Sequence, residues 1–276
     1  MAAARRETTL AGEALATRQG GELAAVRAYW NEHVGDWPIA TAPVGTAAYF
    51  EQTEAYRFDK LDYLERRIDF AGYAGRRVLD LGCGFGNDAA RFAKGGAVVT
   101  GIDLAPRAVA LARSNFAQRG LAGTFLEGDG EALALPDAAF DLVYCHTVLH
   151  FTPEPARMVR EIHRVLTPGG EAILMAVNRR SWMRLMHRLA RVEIDHLAAP
   201  VFHWFTRDQF ERLLAPFAET RLVVERFPVR TKVHKGLKAL LFNTLFVDAF
   251  NALPRAWVEG FGHHLLAFAR KAESGR

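Results

Sequence analysis

Short apolar runs alternate with helical patterns from Arg77 onward, an arrangement typical of strands that are joined by helices. Such an order favours parallel pairing, because each helix carries the chain back before the next strand begins. We therefore expect an α/β fold with a seven-stranded, mostly parallel sheet and helices on both faces. The predicted strands are Arg77–Leu81, Ala97–Ile102, Thr124–Glu127, Leu142–Cys145, Ala172–Val177, Leu222–Phe227 and His264–Ala269.

Apolar residues at helical spacing predict further elements around this sheet. Between Thr46 and Phe70 they recur at intervals of three and four residues, which predicts an N-terminal helical cap before the first strand. A second helix is expected over Pro153–Leu166, with Thr152 as its N-cap and two glycines after its end. Another helix is expected to begin at Thr206.

These elements divide the chain into three parts. Residues 1–24 are Ala-rich and polar, which predicts a flexible leader, and residues 25–72 form the predicted helical cap. Residues 73–276 form the main domain. A minimal α/β sheet does not need two of its segments, residues 178–205 and residues 230–262, so both are interpreted as inserts.

The second insert is apolar around most of its helical circumference. A helix of this kind is normally buried, and we expect it to form a lid over the active site. Contact with a membrane surface through Lys235 and Lys238 is the alternative. The narrow polar stripe of the predicted helix consists of Thr244, Asp248 and Asn251.

Composition narrows the function classes. The 276 residues are 50% hydrophobic and 24% charged, which is ordinary for a globular enzyme, and no apolar run is long enough to span a membrane. The net charge of +4 is spread over scattered Lys and Arg residues, so no nucleic-acid partner is expected. The two cysteines, Cys83 and Cys145, form no disulfide framework, and the sequence starts without a signal peptide. We therefore expect a reducing, cytoplasmic location.

The stretch VLDLGCGFGND, Val78–Asp88, places three glycines in five residues directly after a predicted strand. The spacing is G-x-G-x-G, whereas a dinucleotide-binding turn has G-x-G-x-x-G. A phosphate-binding P-loop is excluded because no Gly-Lys-Ser/Thr follows. The glycines Gly82, Gly84 and Gly86 therefore suggest close approach of a ligand other than a nucleotide phosphate.

Three acidic residues accompany this turn at the ends of the first three strands. Asp80 lies just inside the end of the first, Asp103 ends the second and Asp129 follows the third. A carboxylate can accept hydrogen bonds from ribose hydroxyls or an adenine amino group, and it disfavours pyrophosphate. This pattern suits a phosphate-free cofactor that carries positive charge. Roles as a helix N-cap for Asp103 and as a plain turn residue for Asp129 remain open.

Four segments in order, VLDLGCGFG, GIDLA, EGDGEALALPDAAFDLVYCHTVLHF and RVLTPGGEAIL, resemble the successive motifs of class I S-adenosylmethionine-dependent methyltransferases. The resemblance covers Arg77 to about Val177. Within that family the chain looks most like the small-molecule branches that serve quinone, lipid or secondary-metabolite pathways. The resemblance implies a Rossmann-like sheet, S-adenosylmethionine as cofactor, and methyl transfer that releases S-adenosylhomocysteine.

The resemblance also implies which residues hold the cofactor. Gly82 and Gly84 would pass close to its methionine part, Asp103 would hold the ribose, and Asp129 with the Gly130 backbone would contact the adenine. The complete implied set is Asp80, Gly82, Cys83, Gly84, Asp103, Leu104, Asp129, Gly130, Glu131 and His146.

Two histidines after the fourth strand are the candidate catalytic residues. Methyl transfer is an in-line displacement for which a protein supplies alignment and a base where the acceptor needs one. His146 and His150 in CHTVLHF stand where such a base would lie. Their i, i+4 spacing invites a metal interpretation, but no third ligand is evident, and we expect no metal. A packed or hydrogen-bonded role for either histidine stays open.

The expected partner is a small hydrophobic or aromatic acceptor, bound by the helical cap. Peripheral membrane contact and the oligomeric state stay open. Two other functions are less favoured: an NAD(P)-dependent oxidoreductase, because of the glycine spacing, and a non-catalytic S-adenosylmethionine-binding protein. The candidate acceptor-binding residues are Tyr29, Trp30, Tyr49, Tyr56 and Asn178.

Overall fold

A computed structural model of the chain describes residues 21–34, 39–191, 193–229 and 242–274. It contains a seven-stranded sheet in the order β3-β2-β1-β4-β5-β7-β6. The strand β7 runs antiparallel to both of its neighbours, and the other neighbouring pairs are parallel. The strands are β1 (Arg77–Leu81), β2 (Val98–Asp103), β3 (Thr124–Glu127), β4 (Phe140–Cys145), β5 (Leu166–Val177), β6 (Glu219–Glu225) and β7 (His264–Arg270).

The predicted mostly parallel, seven-stranded sheet is therefore confirmed, with differences at some strand ends. The strand β5 begins at Leu166, six residues earlier than the prediction, because Leu166 pairs with Phe140. The strand β6 ends at Glu225, since Arg226 has a φ of 57°, which an extended strand cannot accommodate.

Helices cover both faces of the sheet and precede its first strand. They are α1 (residues 21–33), α2 (Ala47–Lys60), α3 (Tyr63–Arg67), α4 (Asn87–Lys94), α5 (Pro106–Gln118), α6 (Pro155–Val165), α7 (Trp182–Ala190) and α8 (Arg207–Leu213). None of the helices in the described ranges is both long enough and apolar enough to cross a bilayer.

The N-cap predicted for α8 is confirmed, and the N-cap predicted for α6 is wrong. Thr206 caps α8 with a complete capping box, in which its side chain pairs with the backbone of Gln209 and the reverse bond is also made. The expected cap of α6, Thr152, is wrong: the N-cap is Glu154. The Thr152 hydroxyl instead donates to the Glu131 carboxylate, which draws it away from the helix.

The predicted leader and inserts are only partly within the described residues. Residues 1–20 lie outside them, and residues 21–24 belong to α1, so the helix begins within the segment predicted as leader. Residues 230–241 also lie outside them, including the two lysines of the predicted insert helix. The described part of the second insert is helical: residues 242–251 form one helical run, and another begins at Arg255. It is only partly buried, because Val247 and Val258 are buried whereas Trp257 is 71% exposed.

The core lies in two layers, one on each face of the sheet, because successive strand side chains point to opposite faces. On one face Leu79 and Val143 pack with Ile162 of α6. On the other, Val78 and Leu142 pack with helices α3 and α4. Ligands of open α/β sheets bind outside the carboxyl ends of the parallel strands, so that end of the sheet is where a site is expected.

Candidate functional site

A cavity of about 340 Å³ lies at the carboxyl ends of β1, β2 and β4. The glycine turn after β1, the loop after β4, and helices α1 and α2 all contribute to its wall. Most of the predicted cofactor residues line it: Asp80, Gly82, Cys83, Gly84, Asp103, Leu104, Asp129, Gly130 and His146.

The glycine turn needs glycine for two different physical reasons. Gly82 and Gly84 have φ values of 74° and 54°, a region that side chains rarely adopt. A Cβ at Gly82 would also overlap the side chain of Val148, so this position holds the turn against the loop after β4. A Cβ at Gly84 would meet open space, and Gly84 lines the cavity. Gly84 therefore lets a ligand approach the backbone closely.

Asp103 holds this turn in place through its side chain. One carboxylate oxygen accepts from the Gly84 backbone N–H at 2.8 Å, and the other accepts from the Ala105 N–H at 2.9 Å. Ala105, not Asp103, is the N-cap of α5. Burial raises the pKa of Asp103, although these backbone hydrogen bonds oppose the increase.

Asp80 is a buried carboxylate with an unused oxygen in the cavity wall. Its side chain belongs to a residue only 3% exposed, and its Oδ2 has no hydrogen-bond partner among the described residues. Burial first, and then the charge of Asp88, raise its pKa well above the ordinary value. A buried acceptor of this kind is costly unless a ligand supplies a donor or a positive charge.

Asp129 and Glu131 have different positions. Asp129 lies in the cavity wall, and one of its oxygens accepts from the Glu131 backbone N–H at 2.8 Å. Glu131 does not line the cavity: its carboxylate accepts from the Thr152 hydroxyl and from the Glu154 N–H at 2.7 Å. Its position therefore favours a role in joining the loop after β3 to the start of α6.

His146 lines the cavity but has both ring nitrogens engaged. Arg57 donates to Nδ1 at 3.1 Å, and Nε2 lies 2.8 Å from the Tyr63 hydroxyl. Since an arginine can only donate, Nδ1 accepts, and the neutral ring carries its proton on Nε2. Burial and the positive charge of Arg57 lower the pKa of His146 well below its usual value. These contacts make His146 a poor base for a substrate.

His150 has a free ring nitrogen in the same cavity. Its Nδ1 is buried and has no hydrogen-bond partner among the described residues. Burial, with smaller effects from His203 and Arg226, lowers its pKa to about 3. The ring lies against Phe151 and Phe202, which keep it neutral by excluding water. It is suited to accept a hydrogen bond and not to hold a proton at neutral pH.

A chain of polar side chains continues from His146 along the cavity and was not found from the sequence. The Tyr63 hydroxyl lies 2.6 Å from His264 Nδ1, and Arg226 donates to the other nitrogen of that ring at 3.1 Å. Arg226 and Lys60 both donate to Asp195, at 3.3 and 2.7 Å. At the other end, Arg57 is paired with Asp88 of α4. These residues are far apart in sequence, so no local motif links them.

The candidate acceptor residues separate into two groups. Trp30 and Tyr56 line the cavity, and the Tyr29 hydroxyl lies 3.1 Å from His196 Nδ1, which is itself in the wall. Tyr49 is buried in a separate cluster with Phe50 and Phe85. Asn178 is buried away from the cavity wall and donates to the carbonyls of Gly260 and Gly262.

The first insert contributes to the cavity, and the described part of the second insert does not. Ile194, Asp195, His196 and Phe202 line it, whereas none of the described residues 242–261 does. The lid prediction for the second insert therefore has no support in its described part, and residues 230–241 lie outside that part. No local motif marks the first insert as part of the site; the pattern shows only that a minimal sheet does not need its residues.

The described residues contain no group of three or more His, Cys, Asp or Glu side chains arranged to hold a metal ion. The pair His146 and His150, in the loop after β4, is not arranged to bind a metal either. Both ring nitrogens of His146 already contact protein groups.

Comparison with known proteins matches residues 79–174 to a family model described as a methyltransferase domain. A ubiquinone biosynthesis O-methyltransferase from Pseudomonas aeruginosa is 37% identical over 122 residues, which are 44% of this chain and 51% of that relative. The chain thus spans about half the length of the curated relatives it matches. The predicted resemblance to methyltransferases of the small-molecule branch is confirmed for this segment.

Two solved structures share the fold at low identity. The [4+2]-cyclase SpnF has a TM-score of 0.57 at 22% identity and covers 90% of this chain and 96% of its own. An S-adenosylmethionine-dependent methyltransferase from Thermotoga maritima has a TM-score of 0.54 at 20% identity, covering 82% and 97%. The cyclase indicates that this fold alone does not define one reaction.

Proposed function

We propose that the protein transfers a methyl group from S-adenosylmethionine to a small, apolar or aromatic molecule, starting from the match of residues 79–174 to a methyltransferase-domain model. The observation that carries the proposal is the glycine turn with Asp80, Gly84 and Asp103 in one cavity wall. The names of the curated relatives support an oxygen of the acceptor as the methylated atom.

The residues present fit the cofactor. The unpartnered Asp80 oxygen suits its cationic amino group, and Gly84 leaves room for its methionine part. Asp103 keeps lone pairs for ribose hydroxyls after its two backbone bonds, because each carboxylate oxygen accepts two hydrogen bonds. Asp129 and the Gly130 backbone border the position proposed for the adenine, with Leu104 and Cys83 as apolar wall.

When bound, the cofactor supplies a methyl group that its positive sulfur makes reactive. The protein then needs to align the acceptor and exclude water. Aromatic side chains provide a wall for that purpose: Trp30 lies edge-on to Phe151 at 4.8 Å, and Phe151 lies 5.4 Å from Phe202. Tyr56 lines the same cavity from α2. This wall suits a flat apolar molecule.

Of the two candidate histidines, we assign the acceptor contact to His150. Its free Nδ1 can accept a hydrogen bond from the acceptor, whereas both nitrogens of His146 are occupied by Arg57 and Tyr63. His146 then acts as a positioning residue that ties α2 and α3 to the loop after β4.

Calorimetric titration and turnover test this proposal together. S-adenosylhomocysteine should bind, and NAD should not, because the turn lacks the dinucleotide spacing. A metabolite library with methyl-labelled cofactor should then yield a labelled product. His150→Ala should lower kcat about tenfold with unchanged S-adenosylhomocysteine affinity, because it removes one hydrogen bond that aligns the acceptor. Binding of NAD in place of S-adenosylhomocysteine would refute the function, and cofactor binding without any labelled product would favour a non-catalytic binder.

The proposed partners follow from the same features. A small-molecule acceptor is expected and nucleic acid is not, and the bacterial biosynthetic relatives favour a cytoplasmic location.

A further inference from the structure

The cavity wall carries opposite charges in different parts. Around the glycine turn, Asp80, Asp103 and Asp129 present three carboxylates, which suit a cationic cofactor. Elsewhere in the wall, Lys60 of α2 and Arg226 after β6 present two cations. Such a cavity favours ligands that place positive charge beside the carboxylates and negative charge beside the two cations.

The cations Lys60 and Arg226 share one carboxylate. Lys60 Nζ lies 2.7 Å from Asp195 Oδ2, and Arg226 Nη2 lies 3.3 Å from the same oxygen. Their other described partners bring no negative charge: Lys60 lies over the Tyr56 ring, and Arg226 donates to the neutral ring of His264. The cluster of Lys60, Arg226 and Asp195 therefore has one positive charge in excess.

Neighbouring groups do not cancel this excess. Arg57 and Asp88 form a matched pair of their own, and Tyr144 also donates to Asp88. The nearby histidines are neutral, because burial and Arg226 lower the pKa values of His263 and His264. The positive charge of Arg226 also acts on Lys60: burial first, and then Arg226, lower the pKa of Lys60.

The Asp195 carboxylate shows which chemistry fits here. It belongs to the loop of the first insert, and its side chain is more than half exposed although both of its cationic partners are largely buried. A ligand carboxylate in the cavity could accept hydrogen bonds from Lys60 and Arg226 in the same way. An ammonium or a neutral alkyl group would meet the excess positive charge.

We propose that the acceptor carries a carboxylate, or an equivalent oxyanion, that binds at Lys60 and Arg226, with Asp195 competing for the same two cations. This inference rests on the proposed function, because it names the class of acceptor for that site. The acceptor is then an acidic aromatic molecule, held by its anionic group at Lys60 and Arg226 and by its ring at Trp30, Tyr56 and Phe151.

Paired ligands that differ only in charge test the inference. We would titrate 3,4-dihydroxybenzoate and its methyl ester into the full-length protein saturated with S-adenosylhomocysteine. The acid should bind more tightly than the ester. Lys60→Met should weaken binding of the acid about tenfold or more and leave the ester unchanged. Lys94→Met is the matched control, because Lys94 of α4 pairs with Glu54 of α2 and does not line the cavity.

Asp195→Asn should change the affinity for the acid in the opposite direction to Lys60→Met, which separates an effect on binding from an effect on folding. Removing the competing carboxylate should tighten binding of the acid severalfold, whereas a merely structural role for Asp195 would weaken it. Equal binding of acid and ester, or no binding of either at millimolar concentration, overturns the inference. Titration of S-adenosylhomocysteine alone tests the proposed function separately, since it involves neither Lys60 nor Asp195.

Discussion

Asp103 connects the glycine turn to the segment that leads into α5, and each of its oxygens accepts from a different backbone N–H. We predict that Asp103→Ala weakens S-adenosylhomocysteine binding by about 1.5–3 kcal/mol, the range for hydrogen bonds to a charged group. Isothermal calorimetry measures this loss. Asp137→Ala, at an exposed carboxylate paired with Arg164, is the control. An unchanged affinity in Asp103→Ala would remove the ribose role.

Gly84 shows how one missing side chain can open a binding site. We predict that Gly84→Val abolishes cofactor binding while the protein still folds, because the new side chain would occupy open space in the cavity. Gly120→Val is a matched control: its φ of 62° is similarly strained and its Cβ position is also open, but it lies outside the cavity wall. Equal cofactor affinity in both variants, measured by calorimetry, would contradict the close-approach argument.

At the scale of elements, the buried pair of Arg57 and Asp88 holds α2 of the cap against α4 of the main domain. The charge and hydrogen bonds of Arg57 lower the pKa of Asp88, although burial opposes them. We predict that Arg57→Met lowers the free energy of unfolding by about 3–5 kcal/mol, because it leaves a buried carboxylate unpaired. Urea denaturation measures the change.

A second substitution distinguishes lost pairing from lost packing. Asp88→Asn added to Arg57→Met removes the unpaired charge while its amide oxygen can still accept from Tyr144. Most of the lost stability should return in the double variant. No recovery would show that Arg57 stabilises the structure through its apolar stem and not through its charge.

At the scale of the whole molecule, buried neutral histidines make stability depend on pH. The pKa of His150 falls from an ordinary 6.5 to about 3 in the folded protein. Between these values the unfolded chain binds a proton that the folded protein does not, so stability is complete above pH 6.5 and falls as pH decreases. Each such histidine costs about 1.4 kcal/mol per pH unit within that interval.

We therefore predict that His150→Asn flattens the decline in unfolding free energy on acidification, by about 1.4 kcal/mol per pH unit at most. Denaturant titrations in a series of buffers from neutral to mildly acidic pH measure both slopes. His146, His263 and His264 have lowered pKa values as well, so a decline should persist in the variant. Parallel curves for the native protein and the variant would show that His150 is protonated in the folded state.

The sequence by itself determined the features that depend on local pattern. The bounds of β1 and β3 and the start of α8 follow from apolar runs and from a cap that lies within a few residues of the element it affects. The glycine turn and the two acids at the ends of β1 and β2 were also predictable, because parallel neighbours in a βαβ unit bring those strand ends together.

Only the tertiary structure decided which distant residues complete the cavity. Tyr63 meets a histidine 201 positions later in the chain, and Asp195 of the first insert meets a cation of α2. It also placed Tyr49 in the core and Asn178 beside Gly262, although both were candidate acceptor-binding residues. The physical reason is that burial and pairing depend on how elements pack together, and a local pattern of residue types does not contain that information.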